Sequence, residues 1–297
     1  MNTQLKSKIE KYLFERYTYQ TAQSYLYTIT RFIERHPNAH QLKLRAIELY
    51  LAQLKGQKHT ISYRNVTLSA IKAFYDFLID KNKIQTHPCK SLFLSEKKPS
   101  GKNFNDMLTM EEMETLFSVL PSRYKCTLNR NKVIIGLLIY QGITSQELIN
   151  LKLQHLNLDE GTIYISPSSK NRSRTLSLKP RQITPLINYV NTEREKLTHD
   201  KYPYLIVSMR GMKMTVDSLH SIIDRMQGAF DKNISPKQIR QSVINYWLNK
   251  RKIPLEDVQT MAGHRYPSST EKYIQKDTTK QREVINRLCD DILGGVK

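Results

Sequence analysis

The chain has 297 residues, with 47 Lys and Arg against 27 Asp and Glu, a formal charge of +20, and 39% hydrophobic residues. That length exceeds one small domain, the apolar content excludes a wholly disordered basic tail, and the charge points to a polyanionic partner. No run of about 18 apolar residues occurs, charges interrupt the first turns, and Cys89, Cys126 and Cys289 lack CxxC spacing, which predicts no membrane span, no secretory leader, no disulfide framework and no metal site.

In chain order, the first hundred residues read as a bundle of about four helices. Tyr25, Ile29, Phe32 and Ile33 recur at helical spacing, with Thr21 available as a cap and Pro37 closing the segment. Residues 39–55 carry a second apolar stripe. Residues 60–84 place Leu68, Ile71, Phe74, Tyr75 and Leu78 on one face, with Arg64 and Lys72 on a polar side open to DNA. A bundle over 1–94 is then followed by a Pro, Gly, Ser and charge-rich stretch, 95–106, which reads as an extended linker. Basic residues outnumber acidic ones 17 to 7 through residue 98 and 30 to 20 beyond it, so both sides of the linker are suited to gripping a polyanion.

Beyond the linker, Thr109 and Glu112 stand in capping-box register ahead of Met113, Leu116, Phe117 and Leu120. Residues 131–151 predict an apolar helix, a turn at Gln141-Gly142 and a second helix. The period then drops to two at 162–166 and 175–178, predicting paired strands around the basic tip PSSKNRSR, with Tyr204–Ser208 as a third strand. Helices resume, and Val284, Ile285, Leu288 and Ile292 form a narrow apolar stripe suited to docking in a groove, for which another subunit is a candidate. The expected fold is mostly α with a small antiparallel β-sheet: an N-terminal helical bundle followed by an α+β domain.

Chemistry concentrates near the C-terminus. Lys237 stands three residues before Arg240, and Gly263-His264 precedes Tyr273 across a polar turn containing Pro267, Ser268 and Ser269. With the basic hairpin before them, these spacings resemble the tyrosine recombinase family, the phage-integrase and Xer-like DNA strand-exchange enzymes, over essentially the whole length. LTMEEMETLF resembles the opening of that family's catalytic domain, and QGITSQELINLKLQHLNLDEGTIYI its G-L-R-x-S-E-L-x-x-L segment. The resemblance implies a core-binding domain at 1–94, a catalytic domain at 107–280 and a tail at 281–297 exchanged between protomers.

It also implies roles. Tyr273 would be the nucleophile, Arg240 and His264 would bind the scissile phosphate, Lys170 would match the β-hairpin lysine, and Lys237 would replace a histidine. Arg64, Lys72, Arg172 and Arg174 are expected to contact DNA. Thr144 occupies the place of the family's first catalytic arginine, so Arg130, Arg172, Arg174 and Arg265 become candidates for supplying the missing charge, and Glu147 is expected to orient basic neighbours or cap a helix. The implied activity is site-specific DNA cleavage and rejoining through a 3′-phosphotyrosine, with no cofactor. The implied partner is double-stranded DNA, bound by a homo-tetramer on two sites in the cytoplasm, at the nucleoid. Two alternatives remain open: a DNA-binding or architectural relative without activity, favoured by Thr144, and a topoisomerase-like relaxing enzyme.

Overall fold

Apolar residues three and four apart cannot hide from water except by packing helix on helix, and this organises both parts of the chain. The computed structural model describes residues 3–96, 104–119, 127–198 and 202–275, and the chain divides into two units, 1–100 and 101–297. The first unit holds α1 (Thr3–Arg16), α2 (Tyr19–Arg35), α3 (Leu44–Gly56) and α4 (Ile61–Asp80) around Ile9, Leu13, Ile29, Phe32, Ile47 and Ile71. Thr18, rather than Thr21, stands at the start of α2, and its hydroxyl donates to that of Thr21 (2.9 Å). Thr60 caps α4 by accepting from the Tyr63 amide (3.2 Å).

Two cations of α4 are engaged within the unit. Arg64, expected on a DNA-facing surface, is turned inward: its side chain is 6% exposed and forks onto the Glu96 carboxylate at 3.0 and 2.6 Å. A bidentate carboxylate satisfies a guanidinium better than scattered solvent contacts, and with Lys55 it holds the Glu96 carboxyl at about 2. Lys72 is half-buried and donates to the Lys90 carbonyl (2.8 Å). The exposed face of α2 instead carries Tyr19, Gln23, Tyr27 and Arg31 at successive four-residue steps, with Gln23 donating to the Tyr19 hydroxyl (2.8 Å) and Arg31 to that of Tyr27 (3.3 Å).

Of the predicted linker of 95–106, Glu96 is held by Arg64 within the first unit and Phe104–Asp106 form a 3₁₀ turn in the second, while 97–103 lie outside the described residues. Next come α5 (Met110–Ser118), with the Thr109/Glu112 capping box formed, α6 (Leu128–Gln141) and α7 (Ser145–Asn150). Helix α6 is buried on nearly every side, which is why VIIGLL reads as continuously apolar.

The sheet has three antiparallel strands in the order β1 (Leu156–Asn157), β2 (Thr162–Ile165) and β3 (Arg174–Ser177), with Leu156 opposite Ile163 and Ile165 opposite Arg174. The segment 204–208 is not its third strand. Leu205, Ile206 and Val207 are fully buried, and the segment's strand-like pairings are isolated bridges, Lys152 with Tyr204 and Val207 with Lys213. Helices follow: α8 (Pro180–Asn188), which runs through a π turn (Tyr189–Arg194) into α9 (Glu195–Leu197); α10 (Val216–Asp224); α11 (Pro236–Asn245), extended by a π turn (Tyr246–Lys250); α12 (Leu255–Ala262); and α13 (Ser268–Glu271). The proposed tail, 281–297, lies outside the described residues. Among the described residues, no helix is long and apolar enough to cross a membrane.

Candidate active site

The site is built from helix ends, where backbone carbonyls and amides lack intrahelical partners. Helix α6 ends on Gly142 in the left-handed conformation (φ 56°), where a Cβ would crowd Val243 and Trp247 at 3.1 and 3.3 Å. The Gly142 carbonyl accepts from Arg240 of α11, and the other arm of that guanidinium donates to the Ala262 carbonyl at the end of α12 (2.7 Å). Arg240 therefore pins two helix C-termini, whose dipoles favour a cation. Burial lowers its pKa to about 10, with Glu147 opposing the shift and Arg174 adding to it, so it stays charged at neutral pH.

Helix α12 ends on Gly263, also left-handed, and His264 follows. The His264 Nδ1 lies 2.8 Å from the Thr270 hydroxyl of α13, and its ring faces that of Tyr273 with centroids 6.5 Å apart and planes within 16°. Tyr273 comes just after α13 and is 6% exposed. Its amide donates to the Thr270 carbonyl (2.9 Å) and its carbonyl accepts from Asn249 (2.7 Å). Burial raises the phenol's pKa while Arg240 draws it down. Arg240, His264 and Tyr273 are thus brought together from three elements.

The basic hairpin tip reaches the same place. Asn171 forms an antiparallel bridge with His264, and the Arg172 amide donates to the Gly263 carbonyl (2.8 Å). Lys170, one residue earlier, has an exposed side chain, while its amide donates to the Ser168 hydroxyl (3.3 Å). Lys237 is exposed in the first turn of α11, three residues before Arg240. Arg172 is exposed, and Arg265 donates to the Ser168 carbonyl (3.3 Å). Arg130 lies elsewhere: it is buried against Asn131 and the Val207 carbonyl and lines a cavity with Met209, Met214 and Arg225.

Arg174 corrects the sequence reading. Instead of facing DNA, its side chain is 2% exposed and grips Glu147 with both arms, at 2.7 and 3.1 Å. Glu147 is the third residue of α7, and Thr144 is its cap: the Thr144 hydroxyl accepts from the Glu147 amide (3.2 Å), while Glu147 Oε2 accepts from the Thr144 amide (2.8 Å) and hydroxyl (3.0 Å). Thr144, which the resemblance set against the family's first arginine, therefore serves as a helix cap in this structure. Asn171 also donates to Glu147, at 3.0 Å. The sequence reading missed the roles of Asn171, Thr270 and Asn249. Asn171 lay within the basic hairpin tip and Thr270 beside the polar turn before Tyr273, whereas Asn249 carried no local signal.

The chain as a whole is similar to known proteins. The Phage integrase family model matches residues 106–280, and a Phage integrase N-terminal SAM-like domain matches residues 5–84. The tyrosine recombinase XerA of Pyrococcus furiosus is 25% identical over 282 residues, covering 93% of this chain and 91% of its own. The tyrosine recombinase XerC of Halalkalibacterium halodurans is 27% identical over 243 residues, covering 79% and 78%. Among solved structures, the XerH site-specific recombinase bound to a palindromic difH substrate, a post-cleavage complex, superposes with a TM-score of 0.70 at 19% identity, covering 89% of this chain and 78% of that one. A lambda integrase tetramer bound to a Holliday junction does so with 0.67 at 14% identity, covering 91% and 76%. The chain belongs to the phage integrase family of tyrosine recombinases.

Proposed function

We propose that this protein is a site-specific DNA recombinase that cuts and rejoins DNA through a 3′-phosphotyrosine. Tyr273 attacks the scissile phosphorus, the bond to the 5′ oxygen breaks, and the covalent intermediate conserves the phosphoester for a second 5′ hydroxyl to recover. Arg240 and His264 supply donors to the non-bridging oxygens, where negative charge gathers, with Lys237 adding a further cation from the start of α11. Lys170 protonates the departing 5′ oxygen from the hairpin tip. DNA is held by phosphate contacts from both units, with the Tyr19-to-Arg31 face of α2, Lys72 and Arg172 among them. Four protomers act on two sites, in the cytoplasm.

The observation that carries this reading is the convergence of Arg240, His264 and Tyr273 from α11, the end of α12 and the segment after α13. Thr144 favours a second reading, a DNA-binding relative without activity, because a threonine cannot supply a guanidinium. Incubating the full chain with a pool of nicked duplexes of randomised sequence separates the two. A protein–DNA adduct that survives denaturation and disappears in Tyr273→Phe supports the recombinase. Tight binding with no adduct supports the binder and overturns the recombinase.

A further inference from the structure

The hairpin tip from Ser168 to Arg172 contains no apolar residue, so no hydrophobic contact sets where Lys170 points. Polar bonds must do so, and they lead to Arg174. It stands at the start of β3 and donates through both arms to Glu147, which also accepts from the side-chain amide of Asn171 in the tip. Its Nε donates to the Met261 carbonyl (2.8 Å), one residue from the carbonyl that Arg240 holds. Its guanidinium lies against Gly263, where any Cβ would collide with it. One side chain thus joins the cap of α7, the root of the hairpin and the end of α12.

We infer that Arg174 is a positioning residue for the reaction: by latching the hairpin to Glu147 and to the His264 loop, it sets Lys170 against the leaving oxygen. This rests on the recombinase reading and on Lys170 as the proton donor. In that step the Tyr273 oxygen bonds to phosphorus and the P–O5′ bond breaks, its electron pair leaving on oxygen. Lys170 gives that oxygen a proton, the phenol's proton passes to water, and Lys170 is reprotonated from water. Without Arg174, the buried Glu147 carboxylate loses its bidentate partner and the tip is left with weaker ties. The guanidinium geometry matters as well as the charge, because a lysine cannot fork onto Glu147 and also reach Met261.

The test compares two leaving groups. The wild-type full chain, with Arg174→Lys, Arg174→Ala, Asn171→Ala and Lys170→Ala, is given a duplex captured from the randomised pool in two forms, one with the ordinary 5′ oxygen and one with a bridging 5′ sulfur. A thiolate departs without a proton, because thiols are far stronger acids than alcohols. Cleavage of the oxygen substrate falls about 10²-fold in Lys170→Ala and at least about tenfold in the Arg174 variants, as expected when general-acid catalysis is lost or misaligned. On the sulfur substrate the Arg174 variants recover to within about threefold of wild type, as Lys170→Ala does, on the same general-acid argument. Asn171→Ala, which cuts one tie of the same latch without emptying the ion pair, follows the same pattern and covers the case in which an Arg174 variant fails to fold. Equal loss on both substrates, or no loss on oxygen, overturns the inference while leaving the recombinase reading standing. Loss of Lys170→Ala cleavage on both substrates removes Lys170 as the donor and the inference with it, and a wild-type chain that forms no adduct overturns the recombinase reading itself.

Discussion

Gly263 shows what one residue type does in the candidate site. It adopts φ 71°, a left-handed conformation that costs an L-residue roughly 1–2 kcal/mol, and the Arg174 guanidinium occupies the space where a side chain would begin. The Arg172 carbonyl lies 3.0 Å from that same point. Gly263→Ala is therefore expected to lose more stability than the conformational term alone, because Arg174 must also move. Thermal unfolding beside a Gly56→Ala control, where nothing lies within 4 Å of the added carbon, checks this. Gly56→Ala is expected to be neutral or to stabilise by up to about 1 kcal/mol. Equal behaviour of the two variants would contradict the packing argument. The Gly-His pair in the sequence is thus explained by close approach of a cation as well as by a tight turn.

At the scale of elements, the Glu147–Arg174 pair joins α7 to the hairpin and makes that junction sensitive to acid. Burial alone would raise the Glu147 pKa, but hydrogen bonds and charge from Arg174, the Thr144 amide and Arg240 outweigh it and lower it. Because the folded value lies below the ordinary 4.5, the pair's contribution is fully present above that pH and is lost as pH falls through the folded value. Glu147→Gln leaves Arg174 buried without a carboxylate and is expected to cost about 3–5 kcal/mol at neutral pH. Denaturant unfolding at neutral and at acid pH measures the difference: the gap between wild type and variant narrows below pH 4.5. A gap that stays constant would show that ionisation of Glu147 does not underlie the latch.

For the molecule as a whole, the governing quantity is charge shared between two units. With 47 basic residues against 27 acidic ones, and the excess divided evenly about residue 98, a duplex is expected to be held by phosphate contacts from both sides of the linker. If six to ten phosphates are neutralised, affinity falls about 10³–10⁵-fold between roughly 50 and 200 mM salt. Binding of a labelled duplex to the full chain across that range checks the claim, and a shallow slope equivalent to about two phosphates would restrict DNA to one unit. Arg64 and Arg174, both in ion pairs with carboxylates, do not count toward the slope, whereas Arg31 on the open face of α2 does.

Much of this was legible without coordinates, because the signals are local. Apolar residues at helical spacing announced α2, α4, α5 and α6, the Thr109/Glu112 capping box marked the start of the second unit, and alternation flanked the hairpin. The order Lys170, Arg240, His264, Tyr273 identified the family, since chain order survives folding. The direction an arginine faces does not lie in local pattern: Arg64 turned inward because Glu96 returns to it from 32 residues away, and Arg174 because Glu147 lies 27 residues back. The same holds for β1, two residues too short to show a period, and for 204–208, whose apolar run satisfies a buried loop as well as a strand. Only the tertiary structure decided that Thr144 caps a helix and that Asn249 holds the Tyr273 segment, because those bonds depend on which distant groups the packed core brings within hydrogen-bond reach.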